Sequence, residues 1–398
     1  MKRLLAIALA LVMVFVLVAA CGDADDPVVA DPTPTPPVAD DAPEPDDDPA
    51  PPEEDDPAPA DVAGPDLRVA LIAHSPESLP DDGSFNAGAW IGVENFIAQH
   101  NIPSENIHFF IPREGTIDGR IDLIENAIEE WGADVLVLPG FHFVEALYTA
   151  QDIFPDTYFI FLDGVPAPEG GGDRRTADNL VSILYAEHES GFLAGYAAVK
   201  EGFRDLGFMG GVAVPAVVRF GHGFIQGADF AAAELGLSEG DVTIRYHYVG
   251  GFAPDPAVTT LAGSWFAGGT EVIFAAAGGA GGSVMAAAEA ENGVVIGVDL
   301  DQANDSPTVI TSAMKELAIS VSDMLNAILN GTFPGGSVVV YDAVAHGVGL
   351  PMATSRFNNF TQADYDAIFA QLSGGAINVN DSLEMGDITT ALVTVIEQ

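Results

Sequence analysis

The chain has 398 residues, with 59 Asp and Glu against 13 Lys and Arg, for a formal net charge of -46. An excess of negative charge on this scale argues against nucleic-acid polymers and anionic lipid surfaces as partners. The single cysteine, Cys21, leaves no intrachain disulfide and no thiolate cluster for zinc or an iron-sulfur centre.

Met1, Lys2 and Arg3 lead into an apolar stretch from Leu4 to Val18 that closes on Ala19, Ala20, Cys21 and Gly22. This is the layout of a signal peptide over residues 1–21, and the small-small-Cys ending marks its lipoprotein version. In that chemistry the Cys21 thiol takes a diacylglycerol group before cleavage, and two or three acyl chains give a stable membrane anchor. The apolar run is shorter than the ~20 residues of a spanning helix, which argues against a transmembrane anchor carrying a chance cysteine. Residues 22–66 follow as a run of Asp, Glu, Pro and Ala with almost no large apolar side chains. Such a segment cannot build a core, and its prolines and like charges suit a disordered linker that holds the folded part off the membrane.

From residue 67 to 398 short apolar runs alternate with amphipathic ones. Strands are expected at Leu67 to Ala73, Val135 to Leu138, Tyr158 to Leu162, Leu180 to Leu184, Leu206 to Met209, Val242 to Tyr248, Val272 to Ala276 and Val294 to Val298. Several are continuously apolar, as strands covered on both faces are. Helices are expected at Ala87 to Gln99, Ile117 to Trp131, His188 to Lys200, His222 to Leu235, Pro256 to Phe266, Gly282 to Ala290 and Thr311 to Asn330. The alternation predicts an α/β fold of parallel sheets flanked by helices, and its length predicts two lobes. One natural break is the Gly- and Pro-rich segment from Gly164 to Thr176.

Ligands of open α/β sheets bind beyond the carboxyl ends of strands. Five segments stand out on that rule: DDGSFN at Asp81 to Asn86, GFHF at Gly140 to Phe143, FLDG at Phe161 to Gly164, GGAGG at Gly278 to Gly282, and GVDLDQ at Gly297 to Gln302 followed by TSAMK at Thr311 to Lys315. Glycines there permit close backbone approach, and lone carboxylates after apolar strands point into a cleft. Together they suit a neutral, hydroxyl-rich ligand with a flat ring. Phe220 and Phe224, four apart on an expected helix, read as core. His142 and His222 read as isolated from other nitrogen or sulfur ligands. Asp299, Asp301 and Asp305 have calcium-like spacing but lack the glycine that turns an EF-hand loop, so no metal and no cofactor is expected. The glycine run lacks the Lys-Ser/Thr ending of a phosphate loop.

These blocks, with SGFLAGYAA at Ser190 to Ala198, GFMGG at Gly207 to Gly211 and GGFAPDP at Gly250 to Pro256, stand in an order that resembles the basic membrane protein family, the PnrA-like nucleoside-binding lipoproteins of ABC importers. The resemblance runs from about Asp81 to Lys315. It implies a type I periplasmic-binding fold of two lobes joined by a hinge crossed three times, a purine or other nucleoside held between them, and a permease as partner. It implies Phe85 and Phe252 as the rings that sandwich the base, Asp163, Asp299 and Lys315 at the ribose, and Gly278 as a backbone contact. Asp82 and Asn86 flank the first ring and would read base edges. The sequence departs from the family pattern after Asp163, where it is long and Gly-rich, and at Ala303, Asn304 and Asp305. Two other readings share the pocket: a surface sensor, and a nucleoside hydrolase using Asp163 or Asp299. Against the hydrolase, the first strand ends in Ala73, His74 and Ser75 and not in the calcium-holding aspartate cluster such enzymes need.

Overall fold

The computed structural model describes residues 66–398 apart from Glu77, Asp82 and Ser84. Cys21, the leader, the acidic linker and Asp82 therefore lie outside the described residues.

The first part of the chain runs β1 (Val69–Ile72), α1 (Phe85–His100), β2 (Ile107–Phe110), α2 (Ile117–Glu125), β3 (Val135–Pro139), α3 (Val144–Ile153), β4 (Tyr158–Leu162) and β5 (Leu180–Tyr185). The next part runs α4 (Glu187–Glu201), β6 (Asp205–Gly210), α5 (Pro215–Glu234), β7 (Val242–Tyr248), α6 (Pro256–Ala267), β8 (Val272–Ala276), α7 (Ala280–Glu291), β9 (Val294–Asp299) and β10 (Val309–Lys315). The chain then continues through α8 (Leu317–Leu329), β11 (Ser337–Tyr341), β12 (Val348–Gly349), α9 (Gln362–Ser373) and β13 (Val393–Glu397). Two sheets result, in the orders β11-β5-β4-β3-β1-β2 and β12-β10-β9-β8-β6-β7-β13. Each pairing is parallel except the short β10/β12 contact. The chain passes between the sheets after β5, after β10 and after β11.

The alternation of each strand between two helix layers explains the continuous apolar runs. In the first sheet Val69, Leu71, Val135 and Val137 belong to one core cluster, and Ala70, Ile72, Leu136 and Leu138 to another. Successive side chains point to opposite faces, so both faces must be apolar when both are covered. The first five strands of each lobe have the same doubly wound order, with the second strand outside the first and the third on its other side. The reversal of strand order, where such sheets hold ligands, lies between β1 and β3 in one lobe and between β6 and β8 in the other.

Three expectations are corrected. The stretch Thr311 to Asn330 is not one helix: its start belongs to β10, which pairs with β9, and α8 begins only at Leu317. The Gly- and Pro-rich segment after Asp163 is no lobe boundary, because β4 and β5 on its two sides pair in one sheet. The helix placed at His222 begins seven residues earlier at Pro215, whose fixed φ and missing N–H suit the first helical turn.

Candidate functional site

The carboxyl ends of the strands repeat one backbone device in both lobes. Beyond β3 and β8 the chain turns on glycines with positive φ, Gly140 at 109° and Gly278 at 54°. Beyond β4 and at the end of β9 it turns on aspartates, Asp163 at 62° and Asp299 at 66°. Left-handed backbone is uncommon outside glycine, and aspartate is among the few side chains that tolerate it. Each turn sets its carboxylate at the strand edge.

Lys315 joins the two edges. It ends β10, is 2% exposed, and is one of only three lysines in the chain. Its Nζ donates to Asp163 Oδ2 at 2.7 Å and lies 3.1 Å from Glu187 Oε1. Three rings surround the ammonium, Phe85 at 5.0 Å, Tyr185 at 5.1 Å and Phe220 at 5.5 Å from their centroids. Burial by itself disfavours the charged amine, but the negative field of Asp163, Glu187 and Asp299 outweighs it and holds Lys315 above the ordinary lysine range. Burial pushes the Glu187 carboxyl up, against the pull of Lys315. Asp163 Oδ1 is buried with no hydrogen-bond partner. An orphaned carboxylate oxygen beside a charged, aromatic-walled lysine is suited to accept a hydroxyl.

On the second lobe the half-buried Phe252 packs against glycine backbone. A Cβ on Gly211 would stand 2.3 Å from the Phe252 ring, and one on Gly278 would stand 3.5 Å from Phe252 Cβ. Phe252 O accepts from Ala280 N at 2.9 Å. Asp255 caps α6 just beyond, its side chain accepting from Ala257 N. The GGFAPDP block is thus a ring, a turn and a helix start in succession. Beside it a cavity of about 240 Å³ is lined by Gly278, Gly279, Gln302 and Asp305, among others.

Residues 68–376 match the family model described as ABC transporter substrate-binding protein PnrA-like. The chain belongs to this family. Its function is to bind a solute for an ABC transporter, not to catalyse a reaction. Among its relatives, the ABC transporter nucleoside-binding protein BmpA of Lactococcus lactis subsp. cremoris is 28% identical over 74% of this chain and 84% of its own. Basic membrane protein A of Borreliella burgdorferi is 30% identical over 66% of this chain and 73% of its own. Among solved structures, an ABC transporter solute-binding protein from Aeropyrum pernix K1 superposes with a TM-score of 0.67 over 80% of this chain and 95% of that one, at 19% identity, a likeness of fold.

Within this PnrA-like frame the structure brings Phe85, Asp163 and Lys315 together, and Phe252 with Gly278. Asp299 is nearly buried and acts on Lys315 through its charge, and Asn86 is buried in the first turn of α1. Three residues were missed. Glu187 lies three residues beyond the expected strand Leu180 to Leu184, within reach of the strand-end rule. Tyr185 ends the observed β5, one residue past the expected strand, and its hydroxyl meets Ser320 Oγ at 2.5 Å. Gln302, inside a singled-out block, donates from Nε2 to Gly83 O at 3.0 Å and so ties the second lobe to the DDGSFN loop of the first. Phe220 is buried as core, as expected, and also covers Lys315.

His142 is not isolated. Its ring lies parallel to that of His74, with centroids 4.5 Å apart and planes 1° apart, at the β1/β3 reversal. Burial, then the neighbouring His74 and Arg120, lower the His142 pKa to about 4. Among the described residues no group of three His, Cys, Asp or Glu is placed to hold a metal, and no helix is long and apolar enough to cross a membrane.

Proposed function

We propose that this substrate-binding protein captures a nucleoside between its two lobes and presents it to an ABC permease. Phe85 and Phe252 bound the base, Asp163, Asp299 and Lys315 take the ribose hydroxyls, and Gly278 offers close backbone approach. Asp82 and Asn86 read the base edge. The observation that carries this reading is the orphaned Asp163 Oδ1 beside the buried Lys315. Neighbouring hydroxyls of a ribose donate to such a carboxylate, and the name of the Lactococcus relative points to the same ligand class.

Each stacked ring contributes about 1–3 kcal/mol, and each hydrogen bond to a charged group about 1.5–3 kcal/mol. After the ordering cost of closure these terms support micromolar binding, about -8 kcal/mol. A phosphorylated ligand fits poorly, since Asp163, Glu187 and Asp299 surround one lysine and repel a phosphate. Outside the pocket, acylated Cys21 and the acidic linker hold the lobes at the outer face of the cell membrane.

Calorimetry with purine and pyrimidine nucleosides, their free bases and their monophosphates tests the pocket. Nucleosides alone should bind, and Phe252→Ala should weaken binding at least about tenfold with the fold intact, the loss of roughly one stacked ring. Equal affinity for base and nucleoside would remove the ribose assignment. For the anchor, Cys21→Ser should release the protein from the membrane fraction.

A further inference from the structure

Lys315 has two carboxylate partners that belong to different parts of the molecule. Asp163 follows β4 in the first sheet, together with Phe85 on α1 and Tyr185 on β5. Glu187 opens α4, which packs on the second lobe. There a Cβ on Gly191 or Gly195 would stand 2.1 or 2.0 Å from the carbonyl oxygens of Phe220 and Phe224, and one on Gly223 or Gly227 would stand 2.0 or 1.9 Å from those of His188 and Phe192. Helices at that separation move as one piece. One turn beyond Glu187, Ser190 Oγ donates to Met314 O at 3.1 Å, tying α4 to the residue before Lys315. The other oxygen of Glu187 lies 3.9 Å from Arg219 Nη1, on α5 of the same lobe.

We infer that Glu187 is the positioning residue for Lys315. It holds the ammonium on the second lobe whether the cleft is open or closed, while Asp163 engages Lys315 only when the lobes meet. The need for such a partner is electrostatic, because a buried ammonium that lost Asp163 on opening would lose one of the carboxylates that balance its charge. With Glu187 fixed beside it, Lys315 stays charged and aimed at the cleft between one ligand and the next. The charged and titratable groups facing it are Asp163, Glu187 and Asp299, with Tyr185 on β5 and Arg219 beyond Glu187. The inference rests on the nucleoside reading for its purpose, but its geometry is open to test without ligand.

The scarcity of lysine makes the test direct. With lysine-selective isotope labelling of the full-length chain, Lys315 is one of three side chains to follow by NMR as pH rises. In the ligand-free protein Glu187→Gln should lower the Lys315 titration midpoint by about one pH unit or more, with Asp163→Asn lowering it by less than half as much. Glu187→Asp should restore most of the shift. Adenosine and cytidine, whose bases do not titrate in the alkaline range, should bind the Glu187→Gln protein about twofold more weakly at the pH where its Lys315 is half neutral and about tenfold more weakly one pH unit above that, a dependence absent from the unsubstituted chain. An unchanged midpoint in Glu187→Gln, or an equal shift in ligand-free Asp163→Asn, overturns the assignment. If Glu187→Gln does not fold, Glu187→Asp carries the same comparison through a smaller downward shift. An unsubstituted protein that binds neither nucleoside sinks the nucleoside reading, while the ligand-free titration still decides the role of Glu187.

Discussion

The two helices that carry the chain from one sheet to the other, α4 and α8, do corresponding work at different separations. Each enters a new lobe and packs on the first helix of that lobe, α4 on α5 and α8 on α1. In the α4/α5 pair four glycines, two from each helix, press against carbonyl oxygens of the partner. In the α1/α8 pair a Cβ on Gly92 would meet Ala318 O at 2.7 Å, and one on Gly88 would meet the end of the Leu317 side chain at 2.7 Å. One crossing is backbone against backbone at four glycines; the other has backbone contact at Gly92 and side-chain contact at Gly88. The helix that carries Glu187 is therefore the one with least freedom to shift.

The strand edges show a second contrast. Both lobes turn on glycine and aspartate at matching strands, yet different rings fill the two reversal points. The second lobe lays Phe252 on Gly211, just past the end of β6. The first lobe sets His74 and His142 face to face. The shared backbone device places a flat surface; the side chains decide its chemistry.

These contrasts can be broken in graded steps. The largest expected effect is at the joint between the edges: Lys315→Met leaves Asp163 and Glu187 buried without their shared cation and should cost about 3–5 kcal/mol in denaturant unfolding. Next, Gly227→Ala drives a methyl into a carbonyl oxygen and should cost about 2 kcal/mol or more. Gly88→Ala should cost a small fraction of that, because the Leu317 side chain yields and alanine favours the helix by roughly 0.5–1 kcal/mol. Equal losses at the two glycines would show that the crossings are alike after all.

Gly211→Leu should displace the Phe252 ring and weaken nucleoside binding about tenfold, near 1.4 kcal/mol. The smallest effect concerns the histidine pair. The His142 pKa of about 4 in the folded chain is below its ordinary value near 6.5. Between those values the unfolded chain binds the extra proton, so His142 contributes stability that is lost as pH falls. Buried Glu187, with its raised pKa, works in the opposite direction. The measurement is therefore a difference: the stability advantage of the unsubstituted chain over His142→Gln should shrink as pH drops from about 6.5 to about 4. A constant difference would place the ring outside this linkage.

Much of the scaffold was legible in the sequence. The runs Tyr158–Leu162 and Val272–Ala276 match strands residue for residue, because a strand covered on both faces must be apolar throughout; Val242–Tyr248 matches as well, with its apolar residues alternating with Thr243, Arg245 and His247. The edge strands β2, β11, β12 and β13 escaped notice; in β13 Thr394 and Glu397 interrupt the apolar run, whereas β11 is apolar in sequence and exposes Val338 and Val340. β10 was hidden because VITSAMK runs through Glu316 into LAISV with no glycine or proline between them, and only pairing with β9 separates strand from helix. SGFLAGYAA stood out as a block, but its glycines serve the packing of α4 on α5, which spacing alone does not reveal.

The sequence by itself determined the alternating α/β order and the strand ends where chemistry collects, which are properties of local pattern, written in hydrophobic period and turn residues. Its resemblance to the family implied Phe85, Asp163, Phe252, Asp299 and Lys315 as residues to watch. Tertiary structure alone decided that Lys315 reaches Asp163 across the two sheets, that Glu187 shares it from 128 positions away, and that His74 stacks on His142. Each of these is an interaction between side chains far apart in sequence. Its strength depends on separation and burial, and the chain acquires both only when it folds.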